Sequence, residues 1–158
     1  NNRIKMINIF NFDPSLEPFF YLVAALLLGS ILGIERTLAH KTAGVRTYGL
    51  VSMGACLFII LARIIGPVAS IGSPGQMYVL QGLIIGIGFI GGGTILRSHE
   101  HNHEQTSGVT TAAGLWVAAG IGAATGYGLL PLAAFVTLTT LVTFSVFWFI
   151  ESKIISRG

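Results

Sequence analysis

The chain has 158 residues, of which 53% are hydrophobic and only 9% are charged. Soluble domains carry about 25% charged residues, so this composition excludes an ordinary soluble domain and indicates a membrane protein. The formal net charge is +3 without a basic run, which gives no support to nucleic-acid binding. The single cysteine, Cys56, excludes an internal disulfide.

Charged residues mark the boundaries of five predicted membrane spans. A spanning helix needs about 20 mostly apolar residues. Turn-forming residues in the stretch 66–75 and around Tyr127 divide the two longest uncharged segments. The predicted spans are therefore 18–34, 47–62, 76–96, 107–125 and 129–150, and the predicted fold class is an all-α, polytopic membrane helix bundle.

The distribution of cationic residues predicts the orientation of this bundle. Cytoplasmic loops are rich in Lys and Arg, and here six of the nine cations follow spans one, three and five, whereas Arg3, Lys5 and Arg63 lie on the other side. This places the N-terminus outside and the C-terminus in the cytoplasm. The chain then divides into an N-terminal interfacial segment (1–17), a membrane domain (18–150) and a short cytoplasmic tail (151–158). The cations that set the orientation are Arg36, Lys41, Arg46, Arg97, Lys153 and Arg157.

Small residues four positions apart predict the faces on which the helices touch. Gly82 and Gly86 form such a pair, and the stretch "GFIGGG" at 88–93 follows directly. Glycine costs a helix about 1 kcal/mol relative to alanine, so this stretch leaves open a kink, a broken helix or a backbone that faces a partner group. The glycines predicted to pack or to break a helix are Gly29, Gly33, Gly86, Gly88, Gly91, Gly92 and Gly93.

Polar residues at the predicted cytoplasmic ends of the spans form a candidate site. One interpretation is that they anchor the helices at the interface; the other is a buried ion-pair cluster at the inner mouth of the bundle. Threonines at the start of span four could cap that helix or bond to its neighbours. The predicted cluster consists of Glu35, Arg36, Arg46, Thr47, Arg97, Thr110, Thr111 and Trp116.

The connection after span three, "RSHEHNHE" at 97–104, is rich in histidine. Alternating imidazoles at His99, His101 and His103 could bind a divalent transition metal or respond to pH. A solvated connector is the alternative interpretation. No other cofactor is expected. The sequence shows no nucleophile with a base and an orienting group, so we do not expect an enzyme.

Four segments together resemble the membrane domain of the MgtC/SapB family, which includes YhiD-like proteins. They are "GSILGIER" at 29–36, "AGVRTYGLVSMGA" at 43–55, "GIGFIGGGTILR" at 86–97 and "SGVTTAAGLWVAAGIGAATGYG" at 107–128. The sequence departs from the family at Gly92, where alanine is common, and in its longer His-rich connection. Many members add a soluble C-terminal domain.

The resemblance implies a role in the bacterial inner membrane. It implies adaptation to magnesium limitation, acid stress or life inside host cells (virulence), and an inhibitory action on the membrane ATP synthase. The predicted function is therefore a non-enzymatic regulator that binds membrane lipid, a second copy of itself (a homo-oligomer, with a dimer favoured) or another membrane complex. The alternative is a small oligomeric ion transporter or channel, with Glu35, the glycines at 88–93 and Thr110 along its pathway.

Overall fold

The computed structural model describes residues 16–65, 74–96 and 108–155, and these residues form five helices. No strand occurs among them, which confirms the all-α prediction. The helices are α1 (Glu17–Leu38), α2 (Val45–Ile65), α3 (Pro74–Leu96), α4 (Val109–Gly126) and α5 (Leu130–Ile155).

Four of these helices, α1 to α4, are long and apolar enough to cross a membrane. Helix α5 has 26 residues, and its sequence is free of charge from Leu130 to Ile150. Each predicted span coincides with a helix, with ends that differ by up to five residues. Helix α1 continues beyond the predicted end at residue 34, and α5 continues through 151–155, which we predicted as tail. Of the predicted N-terminal segment, 1–15 lies outside the described residues.

Helix α4 is the centre of the bundle and contacts all four other helices. Its most extensive contact is with α2, which in turn packs along α1. Helix α5 lies against α1 and α4, whereas α3 lies against α4 and, to a smaller extent, α2. The core is therefore the layer α1–α2–α4, and α3 is attached at its side.

Glycines bring the backbones of the core helices into direct contact. A Cβ atom added at Gly29 would lie 2.6 Å from the carbonyl oxygen of Tyr48, and one at Gly33 would lie 2.5 Å from Cα of Val45. On α4, a Cβ atom at Gly122 would overlap the carbonyl group of Ser52. Such contacts replace the hydrophobic effect, which does not drive helices together in lipid. The packing predicted for Gly29 and Gly33 is present here.

Helices α1 and α4 end in the same hydrogen-bonded turn. The N–H of Lys41 donates to the carbonyl of Arg36, and the N–H of Leu129 donates to the carbonyl of Ala124. This turn needs a residue whose backbone adopts the left-handed conformation, and that residue is usually glycine. After α4 that residue is Gly128, with φ 79°, but after α1 it is His40, with φ 52°.

Helix α3 stays helical through its glycine-rich stretch, so the break that the sequence left open is not found. A Cβ atom added at Gly91 would lie 3.4 Å from Cβ of Ala112 on α4. The other four α3 glycines of the predicted set would meet no described atom within 4 Å. These are Gly86, Gly88, Gly92 and Gly93. Each glycine costs about 1 kcal/mol of helix stability relative to alanine, and contacts within the described chain do not offset this cost.

Candidate functional site

The polar centre of the bundle is Arg36, in the last turn of α1, which is only 2% exposed. Its guanidinium forms a bidentate ion pair with the neighbouring Glu35. Nη2 donates to Oε1 at 2.7 Å, and Nε donates to Oε2. The Glu35 side chain is 20% exposed, so the pair has one buried and one partly accessible member. Bidentate pairs of this kind are strong and fix the plane of the guanidinium.

The guanidinium of Arg36 lies over the aromatic ring of Phe144. The Cζ atom of Arg36 lies 3.7 Å from the ring centroid, and Phe144 is 8% exposed. A cation over a ring face is worth about 0.5–2 kcal/mol, with the larger values at desolvated sites. The positive charge is thus paired with Glu35 at its edge and covered by an aromatic ring of α5.

Tyr48 of α2 connects this centre to α4. The side chain is fully buried, and its hydroxyl donates to the carbonyl oxygen of Thr111 at 3.3 Å. Gly114 makes room for it, because a Cβ atom there would overlap the hydroxyl of Tyr48 and lie 2.8 Å from Cζ of Phe144. Side chains or backbone from α1, α2, α4 and α5 therefore meet here. We name this the Arg36 junction, formed by Glu35, Arg36, Tyr48, Thr111, Gly114 and Phe144.

The junction includes three residues of the predicted polar cluster, Glu35, Arg36 and Thr111, the last through its backbone. Arg46 is exposed and forms no ion pair with any described residue, so it does not join them. Thr47 is half-buried, whereas Thr110 and Trp116 are exposed, Trp116 by 51%. The predicted capping by a threonine hydroxyl is not found, because Gly108 is the N-cap of α4 without a side-chain hydrogen bond.

Two predicted features lie outside the described residues. These are Arg97 of the polar cluster and the candidate metal ligands His99, His101 and His103. Within 16–65, 74–96 and 108–155 no group of three or more His, Cys, Asp or Glu side chains could hold a metal ion.

A second arginine lies at the opposite end of the core. Nη1 of Arg63, in the last turn of α2, donates to the carbonyl oxygen of Gly126 at 2.7 Å. A cation at the C-terminus of α4 also interacts favourably with the helix dipole. Nearby, burial raises the pKa of the Tyr127 hydroxyl and Arg63 opposes that rise. That hydroxyl has no hydrogen-bond partner among the described residues.

Sequence reasoning missed Tyr48, Phe144 and Arg63 as members of polar contacts. Tyr48 directly follows the predicted Arg46 and Thr47, so its position was available as a signal. Phe144 is one of many apolar residues in α5, and nothing local distinguishes it. Its partner Arg36 is 108 positions earlier in the chain, and only the fold brings the two together.

The sequence profile of the MgtC family matches residues 22–153. The protein SrpB of Synechococcus elongatus is 35% identical over 138 residues, which cover 81% of this chain and 73% of SrpB. The protein MgtC of Salmonella typhimurium is 39% identical over 95 residues, which cover 60% of this chain and 37% of that protein. MgtC of Brucella abortus is 35% identical over 95 residues, 36% of its length. No solved structure matches.

Proposed function

Because the chain belongs to the MgtC family, we propose that it is a non-enzymatic regulatory protein of the bacterial inner membrane that acts by binding another membrane protein complex. The family resemblance suggests the ATP synthase as that complex. It also suggests magnesium limitation, acid stress and growth inside host cells as the conditions in which the protein acts. The chain spans little more than a third of the MgtC relatives, so this proposal concerns their membrane part.

The closed core supports binding rather than transport. At the level of the Arg36 junction, the side chains of Leu32, Tyr48 and Leu115 are 0% exposed, and they pack in one apolar cluster. The one ion pair between described residues is also satisfied within this cluster, with Phe144 over it. A packed core of this kind offers outer faces to a partner, and its buried side chains would have to separate before a solvated ion could pass between α1, α2 and α4.

One observation favours transport as the second candidate. The Glu35 side chain is 20% exposed, and an ionisable group within a membrane span commonly marks an ion pathway. Transport would require the pair with Arg36 to open and the core to separate. Purified protein in liposomes under an ion gradient tests this candidate: a flux that is present in the parent and absent in Glu35→Gln protein shown to be folded under the same conditions would support transport over regulation.

The regulatory proposal is tested in inverted membrane vesicles. We expect ATP-driven proton pumping to be weaker in vesicles that contain the protein than in vesicles from a strain that lacks it. Photo-crosslinkers at lipid-facing positions of α5, such as Leu138 (62% exposed), should then capture a subunit of the affected complex. Equal pumping in both vesicles, together with no crosslinked membrane protein, would overturn the proposal.

A further inference from the structure

The charged side chains of the α1–α2 hairpin are arranged differently at its two ends. At the end where the hairpin is open, Glu17 accepts a hydrogen bond from the hydroxyl of Tyr21 at 2.7 Å, and Arg63 donates to the carbonyl oxygen of Gly126. Both charged groups at this end therefore have a partner within the protein.

At the end where α1 joins α2, two cations have no partner. Glu35 is paired with Arg36. Lys41 and Arg46 are exposed, and their side chains form no ion pair or hydrogen bond with any described residue. The free positive charge of residues 16–65 therefore lies entirely at this end of the hairpin.

The connection that carries these two cations is held in place. The hydroxyl of Thr37 donates to the carbonyl oxygen of Gly33 at 2.9 Å and accepts a hydrogen bond from the N–H of Val45 at 3.2 Å. Ala43, which lies between the two cations in the sequence, is 3% exposed. The cations therefore start from an ordered backbone, which reduces the entropy that a ligand must offset when it binds.

Each cation also lies next to an apolar surface that faces lipid. Arg46 shares one face of α2 with three exposed leucines, which follow it at intervals of four, seven and four residues. These leucines are Leu50, Leu57 and Leu61. On α1, the exposed Leu38 lies three residues before Lys41.

We propose that Lys41 and Arg46 bind the headgroup of an anionic phospholipid, whose acyl chains lie along these apolar faces. Phosphate oxygens accept hydrogen bonds from ammonium and guanidinium groups. A phospholipid presents its negative charge at the membrane surface and its hydrocarbon directly beneath, which matches the order of the cations and the leucines. An acidic protein segment would neutralise the cations but would not cover the leucines. This inference does not depend on the ATP synthase.

The first test measures thermal unfolding of the purified full chain in nonionic detergent micelles. Phosphatidylglycerol, which is anionic, should raise the midpoint of unfolding, because a ligand that binds only the folded state stabilises that state. Phosphatidylcholine with the same acyl chains should raise it less, and inorganic phosphate at the same concentration should leave it unchanged. Equal shifts with the two lipids, or an equal shift with inorganic phosphate, would overturn the inference.

The second test removes the two charges. Lys41→Gln/Arg46→Gln should weaken the binding of phosphatidylglycerol about 25-fold, because each cation near an anionic lipid surface contributes about fivefold in affinity. Both side chains are exposed and unpaired among the described residues, so the variant should unfold at the parent's temperature when no lipid is added.

Lys41→Arg/Arg46→Lys is the matched control. It keeps both charges and should bind phosphatidylglycerol as the parent does. A glutamine variant that binds this lipid as tightly as the parent would refute the assignment of these two residues. Because these measurements involve no second membrane complex, their outcome is separate from the proton-pumping test of the proposed function.

Discussion

The Cζ atom of Arg36 lies over the ring of Phe144, 3.7 Å from its centroid, although the two residues belong to the first and last helices of the described chain. This contact attaches α5 to α1 at the level where Tyr48 attaches α2 to α4. The Arg36 junction therefore does more than bury a charge. It holds four helices at one level, and its parts can be tested separately.

Phe144→Leu should lower the free energy of unfolding by about 1–3 kcal/mol. The exchange removes the cation–π contact, worth about 0.5–2 kcal/mol, and reduces the packing around Gly114. Phe144→Tyr keeps the ring but adds a hydroxyl at Cζ, the atom that lies against Gly114, so it should also destabilise the protein, here through overpacking. Thermal unfolding of the purified protein in detergent measures both changes. Phe135→Leu is the control, because Phe135 is 66% exposed on the same helix; a loss as large there would refute a special role for Phe144.

Replacing Glu35 and replacing Arg36 should lower the free energy of unfolding by different amounts. Glu35→Gln leaves a buried guanidinium without a counter-charge and should cost about 3–5 kcal/mol. Arg36→Met leaves a carboxylate that is 20% exposed, so it should cost less. The double variant should be more stable than Glu35→Gln alone, because it restores charge balance.

A double-mutant cycle of unfolding free energies measures this coupling. Arg46→Gln serves as the control, since Arg46 is exposed and unpaired among the described residues, and should change stability by less than about 0.5 kcal/mol. Equal costs for the two single variants, with simple addition in the double, would show that burial of Arg36 does not govern the pair.

Gly122→Ala should be among the most destabilising single-methyl changes in the protein. The added Cβ atom would overlap the backbone carbonyl of Ser52, which cannot rotate away, so α2 and α4 must separate. Overpacking of this kind costs about 1–3 kcal/mol or more. Gly88→Ala, on the open side of α3, should instead gain up to about 1 kcal/mol from helix propensity. If the free energy of unfolding changes in the same direction in both variants, the measurement would contradict this packing.

His40→Gly should stabilise the protein by about 1 kcal/mol. His40 has φ 52°, a left-handed conformation that is unfavourable for a residue with a side chain and free of that cost for glycine. Gly128 occupies the equivalent position after α4, so Gly128→Ala should have the opposite effect. Thermal unfolding measures whether each variant is more or less stable than the parent. A less stable His40→Gly variant would mean that the imidazole makes a stabilising contact.

The sequence predicts where the helices of this protein begin and end better than it predicts which face of each helix is buried. Charged residues such as Arg46 and Arg63 mark the ends of the uncharged segments, and these segments have the length that a bilayer requires. The positions of the five helices could therefore be predicted to within a few residues. Helices that are apolar on every side give no periodic signal for the inward face. The inward position of Phe144 and the open side of Gly86 therefore depend on tertiary contacts that no local pattern records.

The candidate site was predictable in the same partial way. Glu35 and Arg36 stood out because charges that continue an apolar helix are rare, and the structure pairs them. Arg46 stood out for the same reason but points away from the core. Arg46 is exposed, whereas Tyr48, two positions later on α2, is fully buried, and predicting this difference requires the rotation of the helix about its axis.

The order of the helices in the core has a consequence for biogenesis. Helix α4 completes the layer with α1 and α2, yet it is synthesised after α3, which occupies only the side of that layer. The hairpin of α1 and α2 therefore lacks the α4 partner of the Tyr48 hydroxyl until the fourth helix leaves the insertion machinery. Ribosome-stalled chains that end before residue 109 would keep this hydroxyl, and the α2 face that receives the glycines of α4, exposed to lipid.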